Sequence, residues 1–216
     1  MTDRFVVAID GPGGAGKSTV SRLVAARIGA SHLDTGALYR AATLAVLEAG
    51  ADPECPAGVL EVVSGCEIDQ CEGRTLLDGS DVSVRIRSEA VTDAVSAVSA
   101  HPRVRELLVA AQRAWVDRQS CPAVVEGRDI GTVVFPDAAL KVFLDADPEV
   151  RASRRSGETG AASDLVAEAL HRRDTFDSTR AASPLRPADD AIYLDTTHLT
   201  LSEVVEAILD RLKDPS

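Results

Sequence analysis

Apolar positions along this chain keep two rhythms. Short, largely apolar stretches fall at residues 5–9, 123–126, 140–144 and 191–194, and a fainter one at 31–34. Their length suits buried parallel strands. Between them the apolar residues recur every three or four positions, which predicts helices. Val20, Leu23, Val24 and Ile28 mark one, with Gly29 placed to end it. Leu38, Ala41, Ala42, Ala45 and Val46 mark another, running from Thr35 to about Ala49 and stopping at Gly50. Helices are also expected over 88–100 and 102–119, the second with Pro102 in its first turn and Val104, Leu107, Leu108, Ala111 and Trp115 along one face. Arg103 and Arg105 lie outside that stripe, where a solvated position is the default for a charged side chain. The last helix opens with Thr200-x-x-Glu203, a capping box, and buries Val204, Val205, Ile208 and Leu212.

One region breaks the alternation. Residues 51–64 read as a Pro-containing loop and a short helix. Glu67 to Cys71, Arg74 to Leu77 and Asp81 to Val84 then read as strand-like pieces, separated by Glu72-Gly73 and Asp78-Gly79. Asp-Gly is a strong hairpin signal. At least five strands alternating with helices, plus this insert, predict an α/β fold: a doubly wound parallel sheet with helices on both faces, a small antiparallel insert and a short lid. A single domain is expected over 1–216, with its core at 1–64 and 85–216, the insert at about 66–84 and the lid at about 151–162.

The chemistry concentrates first after residue 9. Gly11-Pro12-Gly13-Gly14-Ala15-Gly16-Lys17-Ser18, followed by Thr19, fits G-x-x-x-x-G-K-[ST] and sits between a strand and a helix, as a phosphate-binding loop requires. Glycines let backbone N–H groups curl around an anion, and the helix N-terminus adds partial positive charge. Lys17 can reach the β- and γ-phosphates of a nucleotide, and the Ser18 hydroxyl can ligate Mg²⁺. By average composition the bare pattern arises by chance on the order of once per hundred chains this long, and the flanking elements lower that further.

Bulk properties narrow the partners. A net charge of −11 argues against a broad nucleic-acid surface but allows a local basic pocket. No apolar run reaches the length of a membrane span. Asp3 and Arg4 lead at once into the first strand, which leaves no room for a signal peptide and predicts a cytoplasmic protein. Cys55, Cys66, Cys71 and Cys121 form no C-x-x-C pair, so reduced thiols are expected rather than zinc. Of 23 basic residues only Lys17, Lys141 and Lys213 are lysines. Base composition of the genome explains such an excess of Arg, and so does bidentate phosphate binding; position has to decide.

Three clusters are candidates, each set against a bland reading as solvated or salt-bridged surface. Glu126, Arg128 and Asp129 lie at the C-terminal end of a predicted strand, where open parallel sheets bind ligands. Arg151, Arg154 and Arg155 share a helical face ahead of Gly157 and Gly160, which reads as a flexible basic segment able to fold over phosphates. Arg173, Asp177 and Arg180 are spaced by four and three on another helix. Asp34 or Thr35 is suited by chemistry to cap the helix that carries Arg40.

Asp34-Thr-Gly-Ala-Leu-Tyr-Arg40, Glu126-Gly-Arg-Asp-Ile-Gly-Thr-Val-Val-Phe-Pro136 and Arg173-Asp174-x-x-Asp177-x-x-Arg180, with the glycine loop, resemble bacterial cytidylate kinases. These P-loop enzymes phosphorylate CMP and dCMP with ATP. The resemblance spans the chain from first strand to last helix. It implies that Gly11 to Thr19, with Arg154, hold ATP, and that Ser18 meets Mg²⁺ through the ATP phosphates. It implies that Arg40 and Arg128 hold the CMP phosphate, and that Asp34 and Thr35 belong to the CMP site. Ser96, Arg105 and Asp129 would meet cytosine, Arg173 and Asp177 the ribose, and Arg180 would lie close to base and phosphates. Lys17, Arg128, Arg173 and Arg180 would be the catalytic groups. The implied partners are ATP and CMP or dCMP, with no nucleic acid or membrane, acting on a monomer.

Other P-loop functions fit less well. A GTPase normally reads guanine through N-K-x-D, and this chain has no Asn. A kinase for a small acid or sugar shares the loop, but the cytosine-facing residues argue against it. A non-catalytic binding module does not need Lys17, Ser18 and the basic clusters intact.

Overall fold

The computed structural model describes residues 4–160, 162–180 and 182–213. Asp3, and Ala161 of the expected lid, lie outside them. The chain divides into two compact units, one of residues 1–33 with 119–216 and one of residues 34–118.

The first unit is built on a five-stranded sheet ordered β2-β6-β1-β7-β8, with β1 Val6–Asp10, β2 Ser31–Asp34, β6 Ala123–Gly127, β7 Leu140–Asp145 and β8 Ile192–Asp195. β1 runs parallel to β6 and to β7, and β7 parallel to β8. Val7 and Ile9 of β1, Val124 of β6, and Val142 and Leu144 of β7 alternate onto one face. There they pack against Val20 and Val24 of α1 (Lys17–Ile28) and Val204, Val205 and Ile208 of α8 (Leu201–Lys213). Ala8 and Val125 between them are also fully buried, as in a sheet covered on both sides. The α8 capping box forms as expected: Thr200 N donates to Glu203 Oε2 at 2.8 Å, and Glu203 N to Thr200 Oγ1 at 3.3 Å.

α6 (Pro148–Thr159) and α7 (Ser163–Thr179) complete the charged side of this unit. The basic segment expected to be flexible is helical through Gly157. Asp147 caps it by accepting from Glu149 N at 2.8 Å, Pro148 pre-sets its first turn, and Gly160 ends it at φ 72°. One glycine inside a helix costs only about 1 kcal/mol, less than a good cap and tertiary contacts return.

The second unit is helical around α2 (Thr35–Glu48), with α3 (Pro56–Ser64), α4 (Glu89–Ala100) and α5 (Pro102–Asp117). The sequence marks one apolar face on α2, but the helix is buried at Thr35 and at every position from Ala37 to Val46. Small Ala and Thr residues fill what the pattern leaves as a polar side, so two clusters pack on it. One includes Val59, Val95, Val98 and Leu108, the other Leu77, Val82, Ile86 and Val91.

The antiparallel insert is present as β3 (Ile68–Cys71), β4 (Arg74–Leu77) and β5 (Ser80–Asp81). Glu72-Gly73 and Asp78-Gly79 all take positive φ, as two-residue hairpin turns require. The third strand is shorter than its expected 81–84 span. Ser83 Oγ accepts from Thr75 N at 2.9 Å, so a side chain ends the backbone ladder.

Candidate active site

The loop is shaped by contacts that only glycine tolerates. β1 delivers Gly11 at φ 148°, where a Cβ would stand 2.0 Å from Leu144 O. At Gly14, with φ 75°, a Cβ would stand 2.7 Å from Arg151 O. Gly16 caps α1 in the left-handed region with no side-chain hydrogen bond, so the first turn offers its N–H groups without an internal carboxylate or hydroxyl acceptor. This is the arrangement that suits a phosphate. Ala15 is buried inside the turn and Thr19 is exposed one residue past Ser18.

Lys17 is only 8% exposed, and its Nζ donates to Pro12 O at 2.6 Å. Burial lowers its pKa to about 7, and Arg128 and Arg173 push the same way against the pull of Glu126 and Asp174. Beside it, Ser18 Oγ donates to Glu126 Oε2 at 2.8 Å, and His32 Nε2 lies 2.9 Å from the other oxygen, Oε1. A hydroxyl next to a carboxylate is a hard-oxygen set of the kind Mg²⁺ prefers, so these residues fit that ion.

Arg128 follows the end of β6. Its Nε donates to Asp177 Oδ2 and its Nη1 to Gly11 O, both at 2.9 Å. Asp177 also receives Arg180 Nη1 at 3.3 Å and faces Arg173 Nε at 3.9 Å. Burial alone would raise the Asp177 pKa, but Arg128, Arg173 and Arg180 outweigh it and hold the carboxyl below its ordinary range. The spacing of Arg173 and Asp177 on α7 and of Arg180 at its C-cap therefore does gather them, and Arg128 joins them at the loop. Asp129 is buried just beyond and starts a π-helical turn over Ile130–Val134.

Arg154 does not reach this cluster. Its guanidinium donates to Thr196 Oγ1 at 3.0 Å and to Thr196 O at 2.8 Å, past the end of β8. Its helical neighbour Arg151 goes to the loop instead. Arg151 Nη1 donates to Gly13 O at 2.9 Å and pairs with Asp174, whose Oδ1 accepts from Gly13 N at 3.0 Å.

The remaining sequence candidates belong to the second unit. Asp34 is the cap of α2, accepting from Ala37 N at 3.1 Å, and Thr35 is buried in the first turn. Gln70 of β3 grips the same residue twice. Its Oε1 accepts from Asp34 N at 3.0 Å, and its Nε2 donates to Asp34 O at 2.7 Å. Arg40 is buried, and its Nη1 donates to Ile86 O at 3.1 Å and Thr92 Oγ1 at 3.0 Å. Ser96 is half-buried on α4. Arg105, which the helical pattern left at a polar position, is only 4% exposed. Its guanidinium lies 5.2 Å from the Tyr39 ring centre, and its Nη1 donates to Ser99 O at 3.3 Å.

Sequence reasoning passed over Asp10 and His32, and gave Asp174 no role of its own although it stands in the Arg173–Arg180 motif. Asp10 accepts from Ile130 N through one oxygen and from Gly131 N through the other, both at 2.8 Å, so it fixes the turn after Asp129. Burial raises its pKa to about 6, against those two backbone bonds. An acid as the last residue of a strand that runs into a glycine loop is the signal that could have found it. Nothing in the pattern marks His32, and Asp174 stood inside an Arg-rich run that reads as a salt-bridged surface.

A family model described as cytidylate kinase matches residues 7–214. The chain is 51% identical over 220 residues to the cytidylate kinase of Rhodococcus opacus (strain B4), covering 96% of this chain and 94% of that protein. It is also 51% identical over 221 residues to the cytidylate kinase of Mycobacterium leprae (strain Br4923), covering 100% and 98%. Among solved structures, a gluconokinase from Sinorhizobium meliloti 1021 superposes with a TM-score of 0.52 at 17% identity, covering 99% of this chain and 97% of that one. That likeness concerns the fold alone.

Proposed function

Since the chain belongs to the cytidylate kinase family, we propose the following roles for its residues in passing the γ-phosphoryl group of ATP to CMP. The reaction itself is ATP-dependent phosphorylation of CMP to CDP. The observation that carries the assignment of roles is the buried Lys17 at a glycine loop that Arg128 also touches through Gly11 O.

In the first unit, Gly11 to Thr19 cradle the ATP phosphates and Lys17 neutralises charge on the transferring group. Arg128, Arg173 and Arg180, already converging on Asp177, supply the remaining positive charge. Phosphoryl transfer needs positioning and charge neutralisation more than covalent help. Transfer is direct and in line, with no phospho-enzyme formed. Ser18 would hold the Mg²⁺ that accompanies ATP, and that ion would supply neutralisation of phosphate charge. Arg154 belongs to the ATP side. Its bonds to Thr196 favour a place at the end of β8 over one at the loop.

Arg40 and Arg128 take the acceptor phosphate, with Asp34 and Thr35 shaping the start of α2. Arg173 and Asp177 take the ribose. Asp129, Arg105 and Ser96 read the base. A carboxylate only accepts and a guanidinium only donates. Cytosine offers a donor at N4 and acceptors at N3 and O2, so this set complements it and mismatches uracil. dCMP is an acceptor as well as CMP. The insert at 66–84 and the 151–162 segment close on the nucleotides, and the protein acts as a cytoplasmic monomer without a nucleic-acid partner.

Transfer from ATP made chiral at the γ-phosphorus tests the mechanism. Labelled CDP with inverted configuration supports it; net retention, or label released only as inorganic phosphate, overturns it.

A further inference from the structure

His32 carries no role in the account above, yet it touches the residue that holds the loop hydroxyl. Glu126 is 2% exposed, and its partners include Ser18 Oγ on Oε2 at 2.8 Å and His32 Nε2 on Oε1 at 2.9 Å. A serine hydroxyl has one hydrogen and two lone pairs. Giving the hydrogen to Glu126 commits it and leaves the lone pairs for a cation. That orientation persists only while the carboxylate keeps its own plane, and a carboxylate gripped at one oxygen can still turn. His32 grips the other. It reaches there from β2, and β2 and β6 are neighbours in the sheet, so the donor sits on a rigid element.

We propose that His32 is a positioning residue for the metal-bound nucleotide: acting through Glu126, it fixes the Ser18 hydroxyl in the orientation that receives Mg²⁺. The proposal rests on the reading of Ser18 as the hydroxyl that meets Mg²⁺. The simpler alternative is that the His32–Glu126 pair only ties β2 to β6. A tie of that kind changes stability without favouring one form of the nucleotide. Outer partners of a metal site change metal affinity by about 10- to 100-fold when removed. An effect of that size, confined to the metal-bound form, separates the two.

The test is calorimetric binding of Mg·ATP, and of ATP in excess EDTA, to the whole protein. The variants are His32→Leu, His32→Gln and Ser18→Ala, with thermal melting recorded for each. His32→Leu should weaken Mg·ATP binding by about tenfold or more, while metal-free ATP binds nearly as tightly as to the parent. His32→Gln keeps an amide donor within reach of Glu126 and should restore most of the loss. His32→Asn, whose amide stops short of Glu126, should behave like His32→Leu and replaces it if the leucine variant does not fold. If His32→Leu and His32→Asn leave the preference for Mg·ATP intact while Ser18→Ala abolishes it, the proposal fails and the Ser18 reading stands. If Ser18→Ala also keeps the preference, the Ser18 reading fails and takes the proposal with it. Equal weakening of both nucleotide forms in the His32 variants assigns the pair to fold stability and overturns the proposal.

Discussion

Placing the ATP phosphates against Lys17 should draw a proton out of solution. Lys17 is buried beside Arg128 and Arg173, and those conditions lower its pKa to about 7 in the nucleotide-free protein. Phosphates brought into contact reverse both causes, supplying counter-charge and hydrogen-bond acceptors, and should return the ammonium toward its ordinary value of about 10.4. At pH 8, above the lowered pKa, the amine of the free protein is largely deprotonated and that of the complex protonated, so ATP binding takes up a proton. Toward pH 6 the free amine is already protonated and the uptake shrinks. The terminal phosphate of ATP has lost its last proton by pH 8, its pKa being about 6, so it does not mask the signal. Calorimetric titration at pH 8 in buffers of different ionisation enthalpy measures the uptake as the slope of observed heat against buffer enthalpy. Lys17→Ala should abolish it. A slope near zero in the parent protein at pH 8 would refute the electrostatic argument. The sign for folding follows from the same shift. Because the folded pKa is depressed, the unfolded chain binds more protons between about pH 7 and 10, so this group's contribution to stability grows as pH rises through that window.

Three further outcomes are expected. Arg128→Lys replaces a guanidinium that bonds Asp177 and Gly11 O with a single ammonium. Losing one charged hydrogen bond costs about 1.5–3 kcal/mol, or roughly 10- to 150-fold in kcat/KM for CMP; near-parental activity would make Arg128 a structural turn residue. Asp10→Asn turns an NH₂ toward one of the two backbone N–H groups that Asp10 accepts, so it should lower the melting temperature by an amount matching about 1–3 kcal/mol. In the parent protein the raised Asp10 pKa of about 6 means that this carboxyl's contribution to stability falls as pH rises from about 4 to 6, and pH-resolved melting of parent against variant reads that slope. Asp129→Asn should narrow the ratio of kcat/KM for CMP over UMP, because an amide can present either oxygen or NH₂ to the ring; one bidentate base contact is worth roughly 1–3 kcal/mol of discrimination, and an unchanged ratio would remove Asp129 from base reading.

What could be read from the sequence was whatever local chemistry and periodicity dictate. The loop between β1 and α1 was legible because glycine spacing, a flanking strand and a flanking helix coincide. The hairpins were legible because Glu72-Gly73 and Asp78-Gly79 need positive φ, and the start of α8 because a capping box is a four-residue signal. The α7 cluster was legible in spacing, since i, i+4 and i, i+3 put Arg173, Asp177 and Arg180 on one side. Features made by distant residues were not. Arg105 is buried with its guanidinium over the ring of Tyr39, far away in sequence. The basic helix α6 divides its arginines between Gly13 and Thr196, which no periodicity distinguishes. The π-helical turn at Ile130–Val134 is held by a carboxylate about 120 residues earlier in the chain. Pattern reading gives the face of a helix; the neighbour on that face comes from the fold.

The central claim is that this loop and these arginines serve a cytosine nucleoside monophosphate as acceptor. It is tested most directly by kcat/KM from coupled ADP release with CMP, dCMP, UMP, AMP and shikimate as acceptors, each corrected for ADP released without acceptor. The account predicts efficient turnover of CMP and dCMP, a clear loss with UMP, and no acceptance of AMP or shikimate. Equal rates for CMP and UMP, turnover of shikimate, or ADP release that ignores the acceptor would contradict it.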